Sequence, residues 1–413
     1  MHADVLAPAA APAAAFAPAP ALAGRPAAHD EHAALVQALH DVARRIEAGE
    51  TSADAALRAL MARLDGHADA RAVGLYVFAA GLARRLAGTA VAEANLYLGR
   101  FEVPQIHLFN LLGRAVPFVG LATRLCNEAI LEAMRGMARP TLIDIGIGTG
   151  RQACLLLETM AASRCLPERL TVIGIEPSDW ALDEARRSIE STATRLGADV
   201  VFVGLCGTAE RLEDADWHHI AQACTSRPVL NASFALHHIA DDDQGKDRRD
   251  AVLARLRALD PARLVLAEPD VDHRERGFYA RFTHCFAHFG AVFRTLDRLP
   301  LAQADRDALK VGFFGREIAD ILGNPEAVRS ERHESSASWM RRLQAAGFTL
   351  AVSHDSADAD AAPGGVAVRV REGRLSVDAG DDPVVAIFSA EPVRCSLAGV
   401  APLGTDTLAP LLV

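Results

Sequence analysis

Residues 142 to 150 read Leu-Ile-Asp-Ile-Gly-Ile-Gly-Thr-Gly, and this stretch is the strongest indication of the fold class. Its first four residues have the mostly apolar composition of a buried strand, whereas the apolar residues from 152 to 162 recur at helical spacing. The alternate glycines Gly146, Gly148 and Gly150 therefore form the turn between a strand and a helix. Because glycine has no Cβ, backbone N–H groups can approach a ligand there, and helix N-termini favour anions. The pattern predicts a ligand-binding turn.

Two carboxylates indicate which ligand this turn binds. A dinucleotide-binding turn requires G-x-G-x-x-G, but here the third glycine comes one place early and Arg151 follows it, so a nicotinamide oxidoreductase is a disfavoured alternative. Asp144 precedes the turn, where it suits the ammonium of an amino-acid ligand better than a pyrophosphate. Glu176 ends the next strand, where a ribose lies in a doubly wound sheet. We therefore predict S-adenosylmethionine as the cofactor, held by the glycines, Asp144, Glu176 and Asn231.

Short β-rich runs alternate with helical patterns on both sides of this stretch. The predicted strands span residues 142–145, 171–175, 200–203, 228–232 and 264–267, with late strands at 349–352 and 384–389. This alternation is typical of a parallel α/β sheet. Residues 366–378 alternate as a surface hairpin does.

Composition divides the chain into four parts. Residues 1–28 are rich in alanine and proline and predict a disordered tail, residues 29–138 predict a helical cap, and residues 398–413 predict a second tail. Between them, residues 139–397 predict the α/β core, with a helical insertion at about 271–330.

Charge and cysteine content restrict the class of partner and the compartment. The net charge of −10 opposes a large phosphate-binding surface, so nucleic acid is not expected as a partner, and no long uncharged apolar run predicts a membrane span. Seven cysteines without a C-x-x-C pair favour a cytoplasmic protein, although Ala21-Leu22-Ala23 leaves a cleaved signal peptide open. The oligomeric state, including a homodimer, is not determined.

Polar side chains follow the fourth and fifth predicted strands. His237 and His238 follow the fourth, and Glu268 and Asp270 end the fifth, so all four are expected at the carboxyl edge of the sheet. We predict His238 as a catalytic base and Glu268 as a second one, with two alternatives left open: Glu268 tethers the loop, and His237 packs beneath it. His284 and His288 lack an acidic third ligand, so no metal site is predicted.

Motifs along residues 100–390 resemble the GRAS family in its bacterial form. The matching segments are Asn127-Glu128-Ala129-Ile130-Leu131-Glu132-Ala133, Leu142-Ile143-Asp144, Leu230-Asn231 with Phe234 and Leu236-His237-His238, Arg249-Asp250, Phe278 with Arg281-Phe282 and Phe293, Arg316-Glu317-Ile318, Glu331-Arg332-His333-Glu334, and Trp339 with Arg342-Leu343 and Ala346-Gly347-Phe348. The resemblance implies a doubly wound, seven-stranded class I methyltransferase sheet of Rossmann type.

The resemblance implies two different functions. Plant members act as transcription regulators without chemistry of their own, whereas bacterial members are thought to be small-molecule methyltransferases. Because this chain keeps all three glycines, we predict an S-adenosylmethionine-dependent methyltransferase acting on a small molecule, with a non-catalytic regulatory or scaffold protein as the alternative. Asn127, His237, Asp270 and Arg281 are predicted to bind the substrate, with a structural ion pair to a nearby Asp or Glu as the alternative for Arg281.

Overall fold

A computed structural model describes residues 25–65, 70–88, 105–239, 241–242, 247–351 and 361–394. Most of the tails predicted at residues 1–28 and 398–413 lies outside these ranges. Residues 25–28 are helical, which corrects the predicted start of the cap at residue 29. Pro26 is compatible with the first turn of a helix, because a backbone N–H there has no intrahelical acceptor.

The amino-terminal part of the described chain is helical, as predicted. The helices are α1 (Arg25–Glu47), α2 (Ala53–Asp65), α3 (Ala70–Ala87), α4 (Gln105–Ala115) and α5 (Pro117–Met134). Their buried faces carry leucines at helical spacing, such as Leu57, Leu60 and Leu64 in α2. No single helix among the described residues is both long and apolar enough to span a membrane, and the one pair that passes jointly, α4 with α5, is bent by 87°.

A parallel α/β unit follows. Its elements are β1 (Thr141–Ile145), α6 (Arg151–Ala162), β2 (Leu170–Glu176), α7 (Asp179–Leu196), β3 (Val200–Cys206), α8 (Asp214–Ala223), β4 (Val229–Ser233), α9 (Arg249–Ala258) and β5 (Arg263–Pro269). These five strands lie parallel in the order β3-β2-β1-β4-β5. The chain order reverses between β1 and β4, so a crevice opens at their carboxyl ends, where doubly wound proteins bind ligands.

The rest of the chain adds helices and antiparallel strands. In chain order these are α10 (Phe278–Arg298), α11 (Gln303–Asp307), a π-helical segment (Ala308–Phe314), α12 (Gly315–Gly323), α13 (Ser336–Ala345), β6 (Phe348–Leu350), β7 (Ala361–Ala362), β8 (Val366–Arg371), β9 (Arg374–Ala379) and β10 (Asp382–Pro392). Helix α12 packs closely on α3, where a Cβ at Gly81 would lie 3.4 Å from the carbonyl oxygen of Ile318.

Within the described part of the chain the sheet has ten strands, not the seven that the resemblance implies. Strand β10 pairs antiparallel with β5, and the order continues through β9, β8 and β7, with β6 paired to one end of β10. The predicted surface hairpin is therefore part of the sheet. It joins the sheet because its alternate side chains Val366, Val368 and Val377 are buried in the core.

Helices cover both faces of the sheet, as predicted for a doubly wound fold. One face packs on the amino-terminal helices together with α6, α7 and α10, and includes Ile130, Leu156 and Phe282. The other face packs on α8, α9 and α13, and includes Ile220 and Trp339. The carboxyl edge of the parallel strands lies between these layers.

Candidate functional site

The glycine turn after β1 has three left-handed residues with different environments. Gly146, Gly148 and Gly150 have φ values of 72°, 55° and 76°. A Cβ at Gly146 would lie 2.7 Å from the Cβ of Ala235, and a Cβ at Gly150 would lie 3.0 Å from the Cα of Ala185. A Cβ at Gly148 would meet Ile106 at an ordinary 3.5 Å. Backbone conformation thus requires glycine at all three positions, and close packing adds a second requirement at Gly146 and Gly150.

Glu176 lies at the end of β2, as predicted, and its carboxylate is joined to the glycine turn. The backbone N–H of Gly148 donates to Glu176 Oε2 at 3.1 Å, and the N–H of Ser178 donates to Oε1 at 3.1 Å. Burial raises the pKa of Glu176 despite these two donors. The carboxylate therefore orders the turn in addition to facing the crevice.

Asp144 and Asn231 form a buried pair across β1 and β4. Asn231 Nδ2 donates to Asp144 Oδ1 at 2.7 Å, and Asn231 Oδ1 accepts from Gln152 and Ser233. Burial raises the pKa of Asp144 to about 7, although the Asn231 hydrogen bond lowers it, and the nearby Glu176 raises it further. Asp144 is thus held in a fixed orientation, and its carboxyl group changes charge close to neutral pH.

A cavity of about 650 Å³ opens above the turn. Its walls include Asp144, Gly146, Gly148, Glu176 and His238 from the predicted site, while helices α4 and α5 form one side through Ile106, Phe109, Asn110, Val119 and Thr123. A volume of this size accommodates a small organic molecule. The amino-terminal helices therefore cover the crevice at the sheet edge.

The segment after β4 contains a strained residue and the two predicted histidines. Phe234 has a φ of 56°, unusual for a bulky residue, and its N–H donates to the carbonyl of Ala267 at 2.8 Å. Its ring packs edge-on against Phe109 of α4, with ring centroids 6.1 Å apart. His238 faces the cavity, whereas His237 is buried behind it and does not line it.

Glu268 is fully buried and holds this segment in place. Its Oε1 accepts the N–H groups of Leu236 and Ala235 at 2.8 and 3.3 Å, and its Oε2 lies 2.5 Å from His237 Nδ1. Burial lowers the pKa of His237, but the charges of Glu268 and Glu331 outweigh this effect and raise it to about 10. The alternative role of Glu268 as a tether matches this geometry, because neither Glu268 nor His237 reaches the cavity.

Arg249, the first residue of α9, is buried and contacts the segment after β4, and the sequence pattern does not predict these contacts. Its guanidinium donates to the carbonyl oxygens of Leu236, His237 and Arg332 at 3.0, 2.8 and 3.0 Å, and to Glu334 Oε1 at 2.6 Å. The available signal is its place at the start of a helix within a family motif. Its partners come from distant parts of the chain, so local pattern does not reveal them.

The other predicted site residues lie outside the cavity walls. Asn127 Nδ2 donates to the carbonyl of Gln152 at 3.2 Å, so Asn127 braces α6 beneath the turn. Asp270 accepts from the N–H of Ser336 and from Arg374, and Arg281 donates to the carbonyl of Glu275. Each is committed to packing between elements, which agrees with the structural alternative stated for Arg281. The structure does not bring Asp270 or Arg281 to the predicted substrate site.

Comparison with known proteins finds a matching family and several plant relatives. A model of the GRAS domain family matches residues 35–367. The SLENDER RICE1-LIKE 1 protein of Oryza sativa subsp. japonica is 31% identical over 322 residues, covering 76% of this chain and 64% of that protein. The Scarecrow-like transcription factor PAT1 of Arabidopsis thaliana is 25% identical over 248 residues, covering 58% of this chain and 50% of that protein. The crystal structure of SCL7 from Oryza sativa aligns with a TM-score of 0.71 and 22% identity, covering 86% of this chain and 99% of that one.

These relatives correct two expectations. The curated relatives are DELLA and SCARECROW-LIKE proteins rather than enzymes, so the prediction of a methyltransferase activity is wrong. They are also plant proteins, and the bacterial form of the family is not supported. The chain spans about two thirds or less of the length of these relatives. Because the family model covers most of the described fold, from the amino-terminal helices to the added strands, this chain belongs to the GRAS domain family.

Proposed function

We propose that this chain is a non-catalytic regulatory or scaffold protein whose cavity binds S-adenosylmethionine, or a closely related adenosyl nucleoside, as a ligand rather than as a reactant. The observation that carries the proposal is the pair of buried carboxylates, Asp144 and Glu176, beside the glycine turn in a cavity of about 650 Å³. Glu176 also orders the turn, but Asp144 has only neutral hydrogen-bond partners among the described residues, and burying a carboxylate without a cationic partner is unfavourable.

The chemistry of the donors fits the nucleoside. Asp144 is 3% exposed and has no cationic side chain among its hydrogen-bond partners in the described part of the chain, so an ammonium group at this point would stabilise its ionised form. Glu176 keeps an acceptor facing the cavity, where a pair of ribose hydroxyls would donate to it. Gly148 leaves space over the turn, since a Cβ there meets Ile106 only at van der Waals distance.

The placement of Glu268 supports a role without chemistry. Both of its oxygens are occupied by the loop after β4, and it is fully buried. A general base has to reach the proton that it abstracts, and Glu268 does not line the cavity. Of the two predicted bases, His238 therefore lies at the cavity wall and Glu268 does not.

The walls of the cavity suggest how a ligand would influence the rest of the molecule. Helices α4 and α5 belong to the amino-terminal helical region and also line the cavity, so a bound ligand would fill the space between this region and the sheet. A ligand that stabilises only this closed arrangement shifts the population toward it. The helical region would then present one surface to partner proteins with ligand and another without it.

The first experiment measures binding by isothermal titration calorimetry. Wild-type protein is expected to bind S-adenosylmethionine, and Glu176→Gln is expected to weaken binding by about 10-fold to 100-fold, since a charge-assisted hydrogen bond contributes about 1.5–3 kcal/mol. Glu190→Gln, an exposed change on α7, is the matched control and should bind like the wild type. No binding by the wild type, or equal binding by Glu176→Gln, would contradict the proposal.

The second experiment separates ligand binding from turnover. After prolonged incubation of S-adenosylmethionine with the protein and a metabolite extract, mass spectrometry should recover the ligand unchanged. Hydrogen exchange should show slower exchange of the α4 amides when the ligand is present, because α4 lines the cavity. Unaltered exchange in α4 despite saturated binding would refute the coupling to the helical region while leaving ligand binding intact.

A further inference from the structure

Behind the cavity wall lies a buried cluster of histidines and one carboxylate, formed by His237, Glu331 and His333. All three side chains are 4% exposed or less, and their ligand-type atoms lie within 4.8 Å of one another. His237 follows β4, whereas Glu331 and His333 lie on the extended segment before α13, so the fold brings together two distant stretches of sequence.

The distances within the cluster are too long for good hydrogen bonds. Glu331 Oε2 lies 3.5 Å from His237 Nε2 and 3.3 Å from His333 Nε2. Hydrogen bonds from nitrogen to oxygen are typically about 2.7–3.2 Å long. Among the described residues, neither oxygen of the Glu331 carboxylate has a hydrogen-bond partner, although the carboxylate is almost fully buried. The groups that face this carboxylate are the imidazoles of His237, His238 and His333, each 3.3–3.5 Å away.

These same distances match the edges of a tetrahedron around a small divalent cation. Zinc binds imidazole nitrogen at about 2.0–2.1 Å and carboxylate oxygen at about 2.0–2.2 Å, which puts neighbouring ligand atoms about 3.3–3.5 Å apart. The two edges that meet at Glu331 Oε2 are 3.3 and 3.5 Å long. The third pair of ligand atoms also lies within 4.8 Å, so a cation between the three side chains would bind all of them after adjustment of the imidazole rings.

Hydrogen bonds on the far side of each ring aim the histidines at this centre. His237 Nδ1 lies 2.5 Å from Glu268 Oε2, and His333 Nδ1 lies 2.7 Å from His273 Nδ1. When each Nδ1 carries the shared proton, each Nε2 presents a lone pair toward Glu331. A carboxylate behind a ligating histidine is the arrangement that orients imidazoles in metal sites.

The arginines next to Glu331 in sequence do not neutralise its carboxylate. Arg329 donates to the Glu326 carboxylate and to two carbonyl oxygens, and Arg332 donates to Asp241 and to carbonyl oxygens. His238 Nδ1 lies 3.4 Å from Glu331 Oε1 and its ring lines the cavity, so a cation would have access from the cavity side.

We propose that His237, Glu331 and His333 form a binding site for a divalent transition-metal ion of the zinc type. Two imidazoles and one carboxylate suit zinc and its first-row neighbours better than calcium or magnesium, which prefer sets of oxygen ligands. The ion would fix the loop after β4 against the segment before α13, and so would hold the wall of the cavity on which His238 lies. The absence of a short-range motif explains why sequence inspection predicts no metal here.

The test uses the full chain without a histidine tag. After stripping with a chelator and reloading with zinc alone, the wild type should retain about one equivalent by mass spectrometry of the metal, and cobalt loading should give the intense visible absorption of a tetrahedral site. Glu331→Gln should abolish retention, and Glu268→Gln should weaken zinc affinity about 10-fold to 100-fold through the orientation of His237. His288→Gln is the matched control, because His288 is a buried histidine whose ring centroid lies 6.5 Å from that of His333, and it should retain zinc like the wild type.

The results distinguish a specific metal site from adventitious binding at surface histidines. Wild-type protein that retains no zinc and gives no cobalt absorption overturns the proposal. Zinc retention by a folded Glu331→Gln protein also overturns it, because the retained metal would then be bound elsewhere on the chain. Circular dichroism checks the folding of every variant, and if a variant does not fold, the cobalt spectrum of the wild type still decides the outcome.

Discussion

Replacing Asp144 by asparagine should make the protein more stable at high pH than the wild type is. The substitution should also remove the part of the pH dependence of the free energy of unfolding that comes from Asp144. The pKa of Asp144 is raised from its ordinary 3.8 to about 7 by burial. For an acid whose pKa is raised on folding, the folded state binds the proton more tightly than the unfolded state. The contribution of Asp144 to the free energy of unfolding is therefore highest at low pH and falls as the pH rises from about 4 to about 7.

The size of the effect follows from the two pKa values. A difference of about 3 pKa units corresponds to a destabilisation of about 4 kcal/mol at pH 8, where Asp144 is ionised in both states, and of about 2 kcal/mol at pH 5. An asparagine lacks this penalty but introduces an amide donor without an acceptor, at a cost of about 1–3 kcal/mol at every pH. The difference between the two pH values, about 2–3 kcal/mol, is independent of that cost.

The assay is urea unfolding of wild type and Asp144→Asn at pH 5 and pH 8, without added ligand. The stability of the variant relative to the wild type should increase by about 2–3 kcal/mol from pH 5 to pH 8. Asp183→Asn, an exposed change on α7, is the matched control, and its effect should stay within about 0.5 kcal/mol at both pH values. If the difference in free energy of unfolding between Asp144→Asn and the wild type does not change with pH, ionisation of Asp144 does not destabilise the folded protein.

Two further substitutions test the turn and the loop that surround the cavity. Gly146→Ala should destabilise the protein by about 2–5 kcal/mol in urea unfolding, because strain in the left-handed backbone adds to the close approach of Ala235. Gly148→Ala, where only the backbone strain applies, should cost about 1–2 kcal/mol. Equal effects of the two substitutions would show that packing at Gly146 is not tight. Arg249→Ala should lower the free energy of unfolding by about 3–5 kcal/mol, because it leaves buried carbonyl groups and a carboxylate with fewer partners. Arg255→Ala, at an exposed position, is the control and should cost less than about 1 kcal/mol. An Arg249→Ala protein as stable as Arg255→Ala would contradict the role assigned to the guanidinium.

Local sequence pattern predicts the parallel strands because each is a short apolar run bounded by a turn. The predicted strand at 142–145 corresponds to β1 at Thr141–Ile145, and that at 264–267 lies within β5 at Arg263–Pro269. The glycine turn was also predictable, because a left-handed backbone conformation favours glycine regardless of the surrounding fold. The family assignment agrees with motifs that are visible in the sequence alone.

The roles of polar residues were harder to predict, because they depend on partners that are distant in sequence. Glu268 has the position of a site residue at the end of a strand, but its oxygens are taken up by Leu236, Ala235 and His237. Asp270 directly follows the same strand and accepts hydrogen bonds from Arg374 and from the backbone of Ser336. A carboxylate at a strand end is therefore compatible with either a ligand contact or a structural one, and only its neighbours distinguish them.

The sequence by itself determined the order of strands and helices, the glycine turn and the two carboxylates beside it, because periodicity and backbone conformation are local properties of the chain. It did not determine the number of strands in the sheet, the cavity under α4 and α5, or the meeting of His237 with Glu331. Those features arise when segments distant in the chain bury their surfaces together, and the free energy of that burial depends on every side chain at the contact. The polar groups that face the cavity can therefore be distinguished from those that stabilise the fold only in the tertiary structure.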